Sequence, residues 1–183
     1  MTSNSSIIAE PCASRAASET AIGITDQLSA SDVILDLDAT SKRTVLQVLS
    51  AEAAGRLGLP EAQVLNALQA RESLGSTAVG RGVALPHARL DRDVPPVMLF
   101  ARLRRPVDFD ARDDEPVDLV ILVLWPEASP EGFLPTLSEI CRALRDAQVL
   151  RRLRLAKTPE EVVALLNRNG PSSAGAAGTS RTQ

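Results

Sequence analysis

A single histidine, His87, and two cysteines, Cys12 and Cys141, are all the imidazole and thiol this chain has. One histidine and two distant cysteines cannot supply the ligand set of a zinc site, so no metal is expected. Cys12 reads as a thiol in a polar leader and Cys141 as a small apolar residue on a helix face, which suits a reducing, cytoplasmic setting. Positive charge is not in excess: 20 Lys and Arg against 23 Asp and Glu leave a net charge of −3. Without a basic footprint to track a phosphate backbone, nucleic-acid binding is disfavoured. No apolar run approaches a membrane span; the longest, Leu119 to Trp125, is strand-sized. Met1 to Ser31 has no apolar stretch behind a basic start, so no secretory signal is expected. Also missing are a Walker-type loop, an acidic metal triad and a Gly-x-Ser-x-Gly turn.

What is present suits one folded unit. The chain has 183 residues, 44% of them apolar and 23% charged. Residues 1–25, rich in Ser, Ala and Thr, and 169–183, rich in Gly, Ser and Ala, are expected to be disordered. Neither stretch can bury enough apolar surface to offset the entropy of ordering. The domain is therefore expected over residues 26–168.

Periodicity divides that domain into helical ends and a strand-rich middle. Thr40-Ser41 caps a helix whose Val45, Leu49, Ala53 and Leu57 recur on one face, and Gly58 closes it. Pro60 opens a second helix, with Val64, Leu65 and Leu68 inward, running out near Glu72. The glycine-punctuated stretch from Leu74 to Arg89 suits short strands and tight turns, and Val97 to Leu103 reads as a further strand. Asp108 to Pro116 is acidic turn material, without the glycine and terminal glutamate of a calcium loop. Val117 to Trp125 is almost continuously apolar, as a strand buried on both faces would be. A third helix is expected from near Pro135, with Leu137, Ile140, Cys141 and Leu144 inward. A fourth follows Asp146, its Arg151, Arg152 and Arg154 on a solvated face, and Thr158-Pro-Glu-Glu161 caps a fifth. The expected fold is an α/β (α+β) sandwich: a single mixed sheet with helices on both faces, in the order of two helices, three or four strands, three helices.

His87 stands out within the middle segment. Pro86 cannot donate to a sheet ladder, so a strand over Gly82 to Leu85 should stop there and present His87 at its end. Gly75, Gly80 and Gly82 let backbone N–H groups approach an anion, and Arg71, Ser73, Ser76, Thr77, Arg81 and Arg89 crowd the same window with donors. Free imidazole titrates at about pH 6.5, so a useful fraction is a neutral nucleophile at neutral pH. Such a side chain can attack a phosphoryl group in line and pass it on. Phosphoryl transfer asks the protein mainly for positioning and for donors to the equatorial oxygens, a task that suits the planar fork of arginine. A carrier of this kind needs neither metal nor bound cofactor.

The ordered residues Arg71-Glu72-Ser73-Leu74-Gly75-Ser76-Thr77, Gly80 and Gly82-Val83-Ala84-Leu85-Pro86-His87 resemble the signature of type-2 enzyme IIA domains. These are the fructose/mannitol-class components of the bacterial phosphotransferase system. The likeness continues through Pro106 to Asp110, Pro116 to Leu119 and Leu134 to Ser138, spanning about residues 28–168. A domain with no transporter segment attached looks most like the nitrogen-regulatory branch.

The resemblance implies that His87 takes a phosphoryl group on Nε2 from an HPr-like phosphocarrier, with Arg71 and the Ser76-Thr77 turn close by; Arg89, from the donors in the same window, is a further candidate to support the phosphate. It also implies control of partner proteins, such as sensor kinases and potassium transporters, by phosphorylation state. Two residues depart from the family pattern. Phe133 stands where a second histidine is usual, and Ala88 where glycine often follows the active histidine. Two alternatives stay open: a binding-only regulator with weakened transfer, and a sugar-transport IIA that hands phosphate to a IIB component.

Overall fold

The computed structural model describes residues 28–167; the expected leader, 1–25, and tail, 169–183, lie outside them. The elements run β1 (Val33–Leu37), α1 (Lys42–Leu57), α2 (Glu61–Glu72), β2 (Ala78–Gly80), β3 (Val83–Ala84), β4 (His87–Leu90), β5 (Val97–Val107), β6 (Val117–Pro126), α3 (Phe133–Ala143), α4 (Ala147–Leu155) and α5 (Pro159–Asn167). Together they form a mixed α/β fold, one open mixed sheet of six strands with helices packed on both faces. No helix among the described residues is long and apolar enough to cross a membrane.

The helix ends follow local chemistry. The Ser41 hydroxyl accepts the N–H of Thr44 to start α1, and Gly58 ends it at φ 63°, returning its N–H to the Ala54 carbonyl. Thr158 caps α5 by accepting from the Glu161 N–H at 3.3 Å. The reciprocal arm of that box reaches one residue further out, where Glu161 Oε2 accepts from the Lys157 N–H at 2.7 Å.

β6 is the axis of the sheet. β5 pairs with it antiparallel on one side; on the other, β3 and then β4 pair with it parallel, end to end. β1 adds outside β5 and β2 outside β3. Because successive side chains on a strand point to opposite faces, β6 feeds two cores. Leu119, Ile121, Val123 and Trp125 pack with Ile140, Leu150, Leu153 and Val162 of the last three helices. Val120, Leu122 and Leu124 pack with Leu49, Val64 and Leu68 of the first two.

The structure corrects the expected order and three local readings. A strand, β1, precedes the two leading helices. Its signal is weak because it is an edge strand with one buried residue, Val33, and its alternation breaks at Asp36, where φ is 57° and the register to β5 shifts. β5 runs past Leu103 to Val107 across a register shift of its own. Helix α3 begins at Phe133 rather than near Pro135. Proline is tolerated there because the N–H it lacks belongs to the first turn, which has no acceptor inside the helix. Arg151 and Arg152 are exposed as expected, but Arg154 is not part of a solvated face. It donates to both carboxylate oxygens of Asp118, at 2.7 and 2.8 Å, and to the Arg81 carbonyl at 2.7 Å.

Trp125 closes one end of its core, buried to 5% and donating from Nε1 to the Ser129 carbonyl at 2.7 Å. Gly132, leading into α3, lies against that indole: a Cβ there would overlap Cζ2 and stand 2.8 Å from Cη2. Gly132→Ala should therefore displace Trp125, at a cost of about 1–3 kcal/mol for overpacking. Urea denaturation followed by the emission of this single tryptophan measures both effects. An unchanged midpoint with unchanged emission would show that the turn shifts freely.

Candidate functional site

Pro86 sets where His87 sits. Without an N–H it cannot complete the ladder, so the strand beside β6 is interrupted after Ala84. Only the donor is lost, however. The Pro86 carbonyl still accepts the Val123 N–H at 2.9 Å, and pairing resumes at once with His87 opposite Val123. The strand stops before Pro86 as expected, but His87, instead of simply ending it, is the first residue of a new strand, β4. Ala88 and Leu90 point into the core beneath α1 and α2, so alternation turns His87 and Arg89 toward the α3 side.

Two partners fix the chemistry of the half-buried imidazole. Nδ1 lies 2.8 Å from the Leu85 carbonyl, which can only accept, so Nδ1 carries the proton. Arg71 Nε donates to Nε2 at 3.0 Å, and a guanidinium has no lone pair to offer, so Nε2 is the bare nitrogen. Both constraints select the same neutral tautomer. A second proton would have to go on Nε2, against a donor and a positive charge. Burial is the largest reason that His87 is held below its ordinary value of 6.5; the Leu85 bond opposes this, the charge of Arg71 adds to it, and that of Glu72 works against it. The side chain is a neutral imidazole at neutral pH, with a cation already on its bare nitrogen.

The remaining expected residues take different places. Arg71, at the end of α2, also anchors itself through Nη1 to the Gly75 carbonyl at 3.1 Å. Neither hydroxyl of the Ser76-Thr77 turn bonds to His87; both hold the turn. Ser76 Oγ donates to the Phe109 carbonyl and accepts from the Ala78 N–H at 3.1 Å. Thr77 Oγ1 donates to Glu72 Oε2 at 2.6 Å, while its N–H faces both Glu72 oxygens at 3.2 Å. Arg89 is exposed on the same side of β4 as His87, and its guanidinium has no ion pair among the described residues. Phe133 stacks its ring between two others, 5.8 Å from His87 at a tilt of 57° and 6.1 Å from Trp125.

Two contributors escaped the sequence reading. The Glu72 side chain, only 8% exposed, takes Lys42 Nζ at 2.6 Å as well as Thr77. Glu72 lies inside the recognised motif, but nothing local links it to Lys42. The one available signal is a lysine in the first turn of a helix, the end where the macrodipole disfavours a cation. Among the described residues no cluster of His, Cys, Asp and Glu could hold a metal ion.

This geometry has a titration signature. His87 should titrate below 6.5 when followed by its ring-proton resonances. Arg71→Met should raise that value only part of the way, since burial remains. The folded chain favours the neutral ring more than the unfolded chain does. His87 thus contributes stability that is full above about pH 6.5 and is lost as pH falls through that value toward the folded pKa. A folded-state value at or above 6.5 would contradict the arrangement.

Comparison with known proteins agrees with the architecture. The family model described as "Phosphoenolpyruvate-dependent sugar phosphotransferase system, EIIA 2" matches residues 26–169. A nitrogen regulatory protein of Bradyrhizobium diazoefficiens is 41% identical over 143 residues, covering 78% of this chain and 94% of that one. A fructose-specific EIIA component of the phosphotransferase system of Haloferax volcanii is 38% identical over 113 residues, 62% of this chain and 73% of that one. The crystal structure of nitrogen regulatory protein IIA-Ntr from Neisseria meningitidis aligns with a TM-score of 0.75 at 34% identity, covering 78% of this chain and 98% of that chain. With its six-stranded sheet, its paired cores and a family match over most of its length, the chain belongs to the type-2 EIIA family of the phosphoenolpyruvate-dependent sugar phosphotransferase system.

Proposed function

We propose that His87 reversibly carries a phosphoryl group on Nε2, received from an HPr-like phosphocarrier, and that the two states of the protein regulate different partners. Sensor kinases and potassium transporters are the partner classes that the resemblance to the nitrogen-regulatory branch implies. The observation that carries this reading is the tautomer: Nδ1 protonated on Leu85, Nε2 bare beneath Arg71.

The step balances without a cofactor. The Nε2 lone pair forms a bond to phosphorus as the bond from phosphorus to the carrier breaks, and that electron pair leaves with the carrier. The ring becomes cationic while the phosphoryl oxygens stay anionic. The proton on Nδ1 stays in place, and its bond to the Leu85 carbonyl becomes charge-assisted and stronger. Arg71 gives up Nε2 and turns its fork to the oxygens, still tethered at Gly75. Arg89, without an ion pair among the described residues and on the same strand face, would add a second cation.

Phe133 changes the balance of this site. A histidine at that position would donate to the phosphoryl oxygens; a phenyl ring cannot, though it excludes water. A lost charge-assisted donor weakens the phosphorylated state by roughly 1.5–3 kcal/mol, and excluded water slows hydrolysis of the bond once formed. We propose that the first effect dominates, so that the protein stays largely unphosphorylated unless its donor is highly charged. Sugar transport is the second reading, supported by the fructose-specific relative; transfer of label from His87 to a IIB component would distinguish it.

Incubation with charged phosphocarrier should add one phosphate to the intact mass, in an acid-labile form that His87→Ala abolishes. An acid-stable adduct would sink the proposal. Arg71→Lys, which keeps the charge but loses the fork, should slow uptake by about tenfold with a thermal midpoint near wild type. Phe133→His should raise the phosphorylated fraction at a fixed donor ratio; an unchanged fraction would make Phe133 a packing residue only.

A further inference from the structure

Glu72 is a buried carboxylate that the phosphoryl-transfer step does not use, and its position next to an incoming phosphoryl group is electrostatically unfavourable. Its neighbours account for it. Lys42 Nζ approaches to 2.6 Å and also bonds Asp110 at 3.0 Å. Burial works against the Lys42 charge, yet the hydrogen bonds to Glu72 and Asp110 outweigh it and hold the ammonium above its ordinary range. Lys42 thus sets its ammonium directly against the Glu72 carboxylate. On its other side Glu72 accepts from both the hydroxyl and the N–H of Thr77.

The connection continues through the backbone. The Thr77 carbonyl accepts the Leu85 N–H at 3.0 Å, and the Leu85 carbonyl accepts the Nδ1–H of His87 at 2.8 Å. Lys42, Glu72, Thr77, Leu85 and His87 thus form one unbroken line of bonds from the start of α1 to the imidazole. Arg71, which holds the other ring nitrogen, is the residue before Glu72 in the chain. A single carboxylate is tied to both groups that determine the tautomer.

We propose that Glu72 is a positioning residue for phosphoryl transfer, holding the Leu85 carbonyl through Thr77 and aiming Arg71 through the backbone, with Lys42 as its counter-charge. This rests on His87 being the phosphoacceptor. It makes two separable statements: loss of the carboxylate releases the tautomer, and it slows the chemical step without weakening the encounter with the donor, because Glu72 is buried.

The test uses the full chain labelled with nitrogen-15, with the His87 ring shifts reporting the tautomer and single-turnover phosphorylation reporting rate. In Glu72→Ala the neutral ring should become a mixture of tautomers. The maximal uptake rate should fall about tenfold, the size expected for one lost hydrogen bond to a charged group, at an unchanged half-saturating donor concentration. Glu72→Gln, which still offers an oxygen to Thr77, should recover most of both. If Glu72→Ala does not fold, Thr77→Val removes the same bond from the other side and Thr77→Ser restores it. A ring that keeps Nδ1 protonated in the alanine and valine variants would overturn the proposal, as would a glutamine variant no better than alanine. A wild-type chain that takes no phosphate would instead overturn the function proposed above, and the tautomer measurement would still decide the role of Glu72.

Discussion

β6 has no face toward water, and the whole arrangement is built around that constraint. Its residues from Leu119 to Trp125 alternate between two cores, so helices must cover both sides and strands must pair along both edges. One edge is taken by the long antiparallel β5. The other is shared by β3 and β4, which together make one strand with a proline in the middle. A break in a central ladder would ordinarily be costly, because a buried carbonyl or amide loses its partner. Here the cost is small: Pro86 loses no donor it ever had, and its carbonyl remains paired.

The break also makes room for the candidate site. β4 is bonded to β6 on one side, which leaves its other edge free for the end of α2, and Arg71 reaches Nε2 from there. His87 lies on the α3 side of the sheet, against Phe133. The imidazole is thus met by a backbone carbonyl, a guanidinium and a phenyl ring delivered by three parts of the chain. The two hydrogen bonds select one neutral tautomer, Leu85 holding the proton on Nδ1 and Arg71 facing the bare Nε2, while burial and the charge of Arg71 disfavour a second proton. Lys42, Glu72 and Thr77 form a buried polar network behind this arrangement, with each polar group partnered.

Local sequence determined much of this protein. Ser41 and Gly58 bounded α1, the run from Val117 declared a strand buried on both faces, and the proline before the only histidine marked the candidate site. Those features are legible because each depends on a few adjacent residues: a cap, an unbroken apolar run, a missing donor. The same locality explains what stayed hidden. β1 is a half-buried edge strand whose pattern breaks at Asp36, so periodicity had little to read. Arg154 looked solvated because its partner, Asp118, lies on another element. Only the tertiary structure could bring Lys42 to Glu72, set the Leu85 carbonyl on Nδ1 and place Arg71 on Nε2. A tautomer is decided by which groups surround a ring in space, and no spacing along a chain encodes that.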